Sequence, residues 1–404
     1  MTMRGIQKTL KHLDNVLHYP FAGLDFLLDE DLNLVFIEAN SVPGGLYVMN
    51  CTNRLLCDLA PQLRYYLPGI DFIEVFVDMC ICYYEYIRGR RPRRVVVTSP
   101  VNRPPLLMPE RASIASCFRR RGIDCIISDR SKYFVKSNML HVRLGSLIYT
   151  PDMIIRRNTG FPKGLRQIVI NTSETGLITG SKFRTYRFVK RYLDSMPQYK
   201  DIFRMPLTHY AKRVRNIRTI AEDMLREGKK VVIKPNIGEG GKNIFFVDSF
   251  HRLEHVLKKI DRMNIRSFVI QEMINTYKVR INSELYTFDI RAYGLLGEFI
   301  GGHIRLAGRP VGRGAVEDWA ISNISRGGMY LPVFFDGSLN IIRWNNKRRI
   351  VYPFRHIIVD NHALCLDRKI LEKLRLAVRI IVEAISVATN GYRGADYETQ
   401  EDSL

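Results

Sequence analysis

Two hydrophobic periods alternate along this chain, and the switches between them lay out its elements. Leu24–Leu28 and Leu34–Ile37 are short apolar runs on either side of the polar tip Asp29-Glu30-Asp31, the pattern of a β-hairpin. Before it, Ile6, Leu10, Leu13 and Leu17 recur at near-helical spacing and predict a short amphipathic helix over residues 4–16. Residues 50–90 read as mostly helical, with breaks at Pro61 and Leu67-Pro68-Gly69. Arg88–Arg94, interrupted by Gly89 and Pro92, reads as a charged boundary segment, either a solvated connector or a contact for a polyanion. Val95–Val97 then gives a buried-strand signal, residues 109–121 a helix, and Ile123–Ile127 the next strand. Met139–Arg143 and Leu147–Tyr149 predict a hairpin turning at Gly145, and Met153–Ile155 and Ile168–Ile170 two more short strands. Strands alternating with helical segments predict a Rossmann-like sheet. No GxGxxG follows its first strand, so the dinucleotide fingerprint is absent. Gly180-Ser181-Lys182-Phe183 leads into a helix through about residue 194, and Met205–Thr208 closes this unit.

From residue 209 the pattern changes. A helix over about 214–227 leads to Val231-Val232-Ile233-Lys234-Pro235, a glycine-rich segment over 236–243, and the strand Ile244–Val247. A helix over roughly 250–262 and the strand Ser267–Ile274 follow. Residues 286–306 read as two strands, which place Asp289 and Arg291 on one face by period-two alternation and Arg305 near the end of the second. Gly308–Gly314, with Arg309 and Arg313, reads as a mobile basic loop. Leu331–Arg343 reads as a further hairpin around Asp336-Gly337, and the spacing of Ile370, Leu374, Val378, Ile381 and Ile385 predicts a last helix over about 367–388.

Composition narrows the picture. The chain has 404 residues, enough for two or three domains, and its 46% hydrophobic and 25% charged content is that of a soluble globular protein. A net charge of +22 points to anionic partners, but the charge is scattered rather than gathered in a tail. That distribution favours a phosphate or acidic-metabolite site over a nucleic-acid arm. The seven cysteines form no pair of CxxC motifs, and Cys80 and Cys82 fall in an apolar run and read as packing residues. No signal-type or membrane-spanning apolar run is present, and a reducing cytoplasm is the expected compartment.

Two stretches carry candidate chemistry. In the first hairpin, Asp25 lies near the start of one strand, and Glu38 and Asn40 end the other on a shared face. Pairing brings Asp25 opposite the far end of the hairpin, near Glu38, so two carboxylates and an amide oxygen converge as a hard-oxygen site suited to Mg²⁺, or else the hairpin simply carries a solvated acidic tip. Pro43-Gly44-Gly45 offers a tight turn with free backbone N–H groups. In the second stretch, Gly238, Gly240 and Gly241 allow close backbone approach to phosphate oxygens, with Lys234 on the adjoining strand as a cation. A plain glycine hairpin is the alternative. No GK[ST] or helix follows, so this is not a Walker loop.

In this order, these motifs resemble the ATP-grasp superfamily, and most nearly its circularly permuted members. The resemblance rests on Asp25…Glu38-Ala39-Asn40-Ser41-Val42-Pro43-Gly44-Gly45-Leu46-Tyr47 with Asn53-Arg54, on Arg156-Arg157-Asn158, and on Ile170-Asn171…Ser181-Lys182. It continues through Ile233-Lys234-Pro235 and its glycine loop, Gln271-Glu272, Asp289-Ile290-Arg291, Arg305 and Asn323…Gly327-Gly328. The acidic hairpin, last in the ordinary order, opens this chain, and Gly394-Ala395-Asp396 after the last helix partly echoes Gly23-Leu24-Asp25. Three features depart from the pattern: little sequence precedes Asp25, Ala39 stands where the family has an acidic residue, and the region after Arg305 is closer to glutathione synthetase-type ligases.

The resemblance implies an α/β, circularly permuted ATP-grasp fold with a Rossmann-like pre-ATP-grasp domain. Residues 1–50 would be the permuted metal-binding segment, 51–92 a helical connector and 93–208 the pre-ATP-grasp domain. Residues 209–275 would then be the nucleotide-binding lobe and 276–404 the C-terminal lobe. It implies ATP and Mg²⁺ as cofactors. Lys182, Lys234, Gly238, Gly240, Gly241, Gln271, Glu272, Met273, Ile274, Asp289 and Asn323 would bind the nucleotide. Glu272, Met273 and Ile274 would form the adenine hinge. Asp25, Glu38 and Asn40 would hold the metal, and Arg291 and Arg305 would neutralise charge in catalysis. The implied reaction is an ATP-dependent carboxylate–amine or carboxylate–thiol ligation through an acyl phosphate, on small-molecule substrates, with a membrane or nucleic-acid partner not expected. A phosphotransferase and a non-catalytic nucleotide-binding protein are the alternatives. The acceptor acid, the nucleophile and the oligomeric state stay open.

Overall fold

The computed structural model describes residues 6, 17–59, 70–100, 108–158, 160–238, 240–323, 327–335, 340–343, 350–351, 358–359 and 362–391. Most of the helix expected over 4–16, Asp336-Gly337 and the segment around Asp396 lie outside them.

The chain's first described sheet element is the acidic hairpin, β1 (Phe21–Leu28) and β2 (Leu34–Asn40). Its tip is held by Asp29, whose Oδ1 accepts from the N–H groups of Asp31 (3.1 Å) and Asn33 (2.8 Å). A short aspartate side chain bonding backbone a few residues ahead is what makes it a turn former. Two helices follow, α1 (Leu46–Leu59) and α2 (Phe72–Arg88). Asp71 caps α2 by accepting from Ile73 and Glu74, and Gly89 ends it at φ 66°, a left-handed position that suits glycine. Cys80 and Cys82 are buried in α2, where burial pushes the Cys82 thiol up to about 11, as packing residues require. The arginine segment after α2 connects it to the next sheet, with Arg90 paired to Asp152 at 3.2 Å and Arg91 to Glu85 at 3.2 Å.

The next unit contains β3 (Arg94–Ser99), α3 (Met108–Arg120) and β4 (Asp124–Asp129). An antiparallel meander follows, β5 (Tyr133–Lys136), β6 (Met139–Leu144) and β7 (Leu147–Tyr149), and then β8 (Met153–Ile155) and β9 (Ile168–Ile170). The predicted hairpin turning at Gly145 is the β6–β7 pair. Strands β4-β3-β8-β9 form a fully parallel sheet, and Val95, Val96 and Val97 are buried on both of its faces, as a covered parallel sheet demands.

Helices α4 (Ser173–Thr179) and α5 (Lys182–Ser195) lead to the third unit. It contains β10 (Thr208–Ala211), α6 (Val214–Arg226), β11 (Val231–Pro235), β12 (Phe245–Val247), α7 (Phe250–Asp261) and β13 (Phe268–Glu272). Its antiparallel sheet runs β10-β13-β11-β12, and Ile217, Leu253, Leu257, Ile233 and Ile270 share a separate small core.

After the small hairpin β14 (Val279–Ile281) and β15 (Glu284–Tyr286) come β16 (Phe288–Leu295) and β17 (Glu298–Leu306). The remaining elements are α8 (Val316–Ala320), β18 (Met329–Phe335), β19 (Asn340–Arg343), β20 (Ile350–Val351), β21 (Ile358–Val359), β22 (His362–Leu366) and α9 (Arg368–Asn390). A seven-stranded sheet runs β19-β22-β18-β17-β16-β1-β2, so the opening hairpin completes a sheet whose other strands come from beyond residue 287. Helix α9 packs on this sheet so closely that a Cβ at Gly294 would stand 2.6 Å from Val378 Cγ1.

One expectation fails here. Leu331–Arg343 is not a hairpin: β22 lies between β18, to which it is parallel, and β19, to which it is antiparallel. Leu364 and Leu366 of β22 are buried, so that strand gains by taking a central place, which nearest-neighbour pairing of β18 with β19 would deny it. Among the described residues no helix is long and apolar enough to cross a membrane.

Candidate functional site

The seven-stranded sheet writes its polar residues in two rows. In one, Glu38 of β2 faces Asp25 of β1, Asp25 faces Arg291 of β16, and Arg291 faces His303 of β17. In the next, Asp289 faces Arg305, and Arg305 faces Tyr330 of β18. Directly opposed residues share a face, so every one of these side chains points to the same side of the sheet.

The rows form a buried ion cluster. Arg291 donates from Nε to Asp25 Oδ1 and from Nη2 to Oδ2, at 2.6 Å each. Arg305 Nη2 reaches Asp25 Oδ2 at 2.8 Å, while its Nε and Nη2 donate to Asp289 at 2.6 and 2.8 Å. Ser322 adds a hydroxyl donor to Asp289. Burial pushes the Asp25 carboxyl up, but the two guanidinium groups outweigh it and hold it well below the usual carboxylate range. Two carboxylates and two guanidinium groups leave the cluster formally neutral. His303, buried with no hydrogen-bond partner on either ring nitrogen among the described residues, is kept neutral by burial and by Arg291 and Arg305.

All of these residues except His303 line one wall of a cleft of ≈ 1030 Å³. The other wall comes from the smaller antiparallel sheet: Lys234, Gly238, Gly240, Gly241, Gln271, Glu272, Met273 and Ile274, joined by Lys182 and Asn323. The structure thus brings every residue singled out for the site to one cleft. The glycine loop is anchored by Asn236, which is buried and whose Oδ1 accepts from Ser181 Oγ and Phe183 N at 3.0 Å each. Lys182 Nζ donates to Gly238 O at 2.8 Å, tying the start of α5 to the same loop. Gly240 and Gly241 sit at φ 79° and 67°, a conformation that a side chain disfavours. Lys234 is buried and makes no ion pair among the described residues, and burial, then the nearby Lys182 charge, lowers it to about 8 against the pull of Glu38 and Asp25. At the end of β13, Glu272 Oε1 accepts from Arg204 Nη2 (2.8 Å) and Leu207 N (3.1 Å), and Met273 N donates to Lys230 O at 2.8 Å.

Two expectations are modified by the contacts. Both Asp25 oxygens are engaged by guanidinium groups, so Asp25 is first of all a partner of Arg291 and Arg305. The N–H groups after Pro43 are not free: Gly45 and Tyr47 donate to Glu110 Oε2 at 2.9 and 3.3 Å. In the basic loop, Arg313 pairs with Glu284, and Arg309 stands 3.6 Å from Asp318.

The donor set suits a hard cation. Glu38 makes no ion pair among the described residues, and Asn40, with its amide turned as its neighbours require, donates to Glu38 Oε1 and accepts from Arg291 Nη2, both at 3.2 Å. No group of three or more His, Cys, Asp or Glu side chains converges among the described residues. The oxygens of Glu38, Asn40 and Asp25 would therefore fit Mg²⁺, which fills its shell with water and phosphate, and not a fully protein-ligated ion.

Sequence reasoning missed Arg111, Arg130, Ser322 and Tyr330, which also line the cleft, and gave Arg157 and Asn158 no role. Arg111 reads as a surface charge on a helix, and nothing in its local pattern marks it as buried. Tyr330 could have been found only by knowing which strand lies beside Arg305.

No family model and no curated protein matches the sequence. Among solved structures, the chain is similar to a protein from Methylobacillus flagellatus KT provisionally described as a gamma-glutamylcysteine synthetase, with TM-score 0.58, 14% identity and 96% of each chain covered. It also aligns with a glutathione synthetase-like effector of Globodera pallida (TM-score 0.47, 12% identity, 75% of this chain and 77% of that one). A third is the VanG D-Ala:D-Ser ligase of Enterococcus faecalis (TM-score 0.35, 13% identity, 74% of this chain and 100% of that one). The chain shares its mixed α/β fold with the Methylobacillus flagellatus protein.

Proposed function

We propose that this protein is an ATP-dependent ligase that joins a carboxylate to an amine or thiol through an acyl phosphate. MgATP would lie in the cleft between the seven-stranded sheet and the smaller antiparallel sheet. The observation that carries this reading is that the glycine loop, both lysines, the β13 end and the Asp25–Glu38–Asn40 set, far apart in sequence, line one cleft. On the same reading the chain is a permuted ATP-grasp protein, because the acidic hairpin that completes the seven-stranded sheet comes first. The domain divisions at about residues 50, 92, 208 and 275 go with it.

The residues divide the work. Lys182, Lys234 and the N–H groups of the glycine loop hold the phosphates, and the Glu272–Ile274 segment receives the adenine. Glu38 and Asn40, with Asp25, would hold Mg²⁺, which supplies charge neutralisation and fixes the phosphate oxygens. Asp25 and Asp289 cancel the charges of Arg291 and Arg305, so these arginines first position the Asp25 carboxylate and then offer their remaining N–H groups to the transferring phosphoryl group. Phosphoryl transfer needs positioning and electrostatic stabilisation more than covalent help from the protein.

The test is incubation with MgATP, a panel of carboxylic acids and hydroxylamine, which traps acyl phosphates as hydroxamates. The ligase reading predicts ADP, free phosphate and hydroxamate in step. A stable phosphorylated product would instead identify a phosphotransferase, and ATP binding without any turnover a nucleotide-binding protein.

A further inference from the structure

The antiparallel meander β5-β6-β7 carries a surface that the ligase reading leaves unused. Its inward row begins as core: Leu140, Val142 and Tyr149 are buried with Val96 and Ile154 of the parallel sheet. The next inward pair, Leu144 opposite Leu147, stands clear of that core and is 38% and 70% exposed. Ile148, on the outer row opposite Arg143, is 61% exposed. Every residue from Arg143 to Ile148 is exposed, so the β6–β7 tip holds three large aliphatic side chains in water. A cluster of this kind on a surface marks a place of contact.

The charge of the meander has one sign. From residue 130 to residue 150 the chain holds four Lys or Arg and no carboxylate. Arg143 lies over the Phe134 ring, 5.2 Å from its centroid, and neither Arg143 nor Lys136 makes an ion pair among the described residues. The carboxylates that flank the segment are engaged: Asp129 Oδ1 accepts from Ser131 N at 2.9 Å, and Asp152 Oδ2 from the N–H groups of Arg93 and Arg94 at 2.8 and 2.9 Å. Further cations adjoin the meander. Arg94 stands 5.9 Å from the Tyr149 ring centroid, Arg166 N donates to Asn138 O at 2.8 Å, and Arg88 Nη2 donates to Arg166 O at 2.6 Å. These three arginines are exposed and make no ion pair among the described residues.

We infer that the β6–β7 tip docks this protein on an anionic membrane surface. Leu144, Leu147 and Ile148 enter the boundary between headgroups and acyl chains, and Arg143 with the neighbouring cations meets the lipid phosphates. Such a surface supplies hydrocarbon and negative charge together. A second copy seated by a twofold axis would bring Arg143 and its neighbours against their own like charges. A nucleic acid offers phosphates but no hydrocarbon for Leu147 and Ile148. The expectation against a membrane partner rested on the lack of a spanning run, and a peripheral contact needs none. None of the three aliphatic residues lines the cleft, so the inference stands apart from the ligase reading.

The experiment is cosedimentation of the full chain with vesicles of phosphatidylcholine alone and of an equal mixture of phosphatidylcholine and phosphatidylglycerol. It compares the wild type with the double variant Leu147→Ser, Ile148→Ser. That variant keeps the net charge at +22, so it separates insertion of the tip from the general attraction of a basic protein to anionic lipid. The wild type partitions onto the mixed vesicles and not onto the neutral ones. The double variant loses that partition by about tenfold or more and keeps the wild-type melting temperature, since both replaced side chains are exposed. Ile148→Trp, read against the wild type, shifts its emission to the blue on the mixed vesicles only. No binding, equal binding to both kinds of vesicle, undiminished binding of the double variant, or an unshifted emission overturns the inference. A wild-type dimer in solution that the double variant lacks overturns it too, by giving the tip to a second copy. RNA binding that the double variant loses does the same, by giving the tip to a nucleic acid.

Discussion

Arg291 grips Asp25 through two parallel N–H···O bonds of 2.6 Å each, across directly opposed positions of two adjacent strands. One partner sits at position 25 and the other at position 291, so this pair also fastens the chain's first hairpin to its last sheet. Removing one member of such a buried pair leaves the other charge uncompensated, at a cost of about 3–5 kcal/mol. Asp25→Ala and Arg291→Ala are each expected to lose stability on that scale in chemical denaturation, and a loss below about 1 kcal/mol in both would show that the pair does not hold the hairpin. The pH dependence has a fixed sign. Because the folded-state pKa of Asp25 is depressed, its contribution is present above the unfolded value, about 3.9, and is lost as pH falls through the folded value. Asp25→Asn therefore flattens the steep acid limb of the stability curve below about pH 4.

Lys234 makes the opposite case. Its folded pKa is lowered from 10.5 to about 8, so the unfolded chain holds the proton more tightly between these values. Stability of the nucleotide-free protein is expected to rise as pH climbs from about 8 to 10.5, and Lys234→Met should remove that rise. Bound phosphate favours the charged lysine, so on the proposed function ATP affinity falls above pH 8, with proton uptake on binding. Calorimetry at pH 8.5 in buffers of different ionisation heat reads that uptake directly.

Glu38 separates chemistry from folding. It is half-buried and, among the described residues, held only by Asn40, so Glu38→Ala should keep the melting temperature within a few degrees and abolish Mg²⁺-dependent turnover. An active Glu38→Ala protein would remove Glu38 from the metal site.

Asn236 separates the loop from the sheet. Its side chain accepts two hydrogen bonds from the start of α5, and losing them costs about 1–3 kcal/mol in a buried setting. Asn236→Ala is expected to raise hydrogen exchange of residues 236–243 and weaken nucleotide binding, while the Asp25–Arg291 cluster keeps its protection. Unchanged exchange in the loop would mean that Asn236 does not anchor it.

Much of the site was legible because short-range rules generate it. Period-two alternation put Glu38 with Asn40 and Asp289 with Arg291, and hairpin pairing put Asp25 near Glu38, which the strand register sets directly opposite it. The glycine loop after Lys234 follows from the same local reading. What could not be read were relationships set by strand order. That β1 lies beside β16, which gives Asp25 its arginine, depends on a pairing across more than 260 residues, and local sequence carries no signal for it. The insertion of β22 between β18 and β19 was missed for the same reason. Arg111 was passed over, and Arg157 was quoted without a role, because arginine is ordinarily a surface residue, and their burial follows from where three strands end.

The measurement that tests the central claim most directly is calorimetric titration of ATP into the wild-type protein, with Mg²⁺ and with EDTA, alongside Lys234→Ala. The proposed site predicts Mg²⁺-dependent binding that weakens at least tenfold in Lys234→Ala. Absence of ATP binding in the wild type, or binding indifferent to both Mg²⁺ and Lys234, would contradict it.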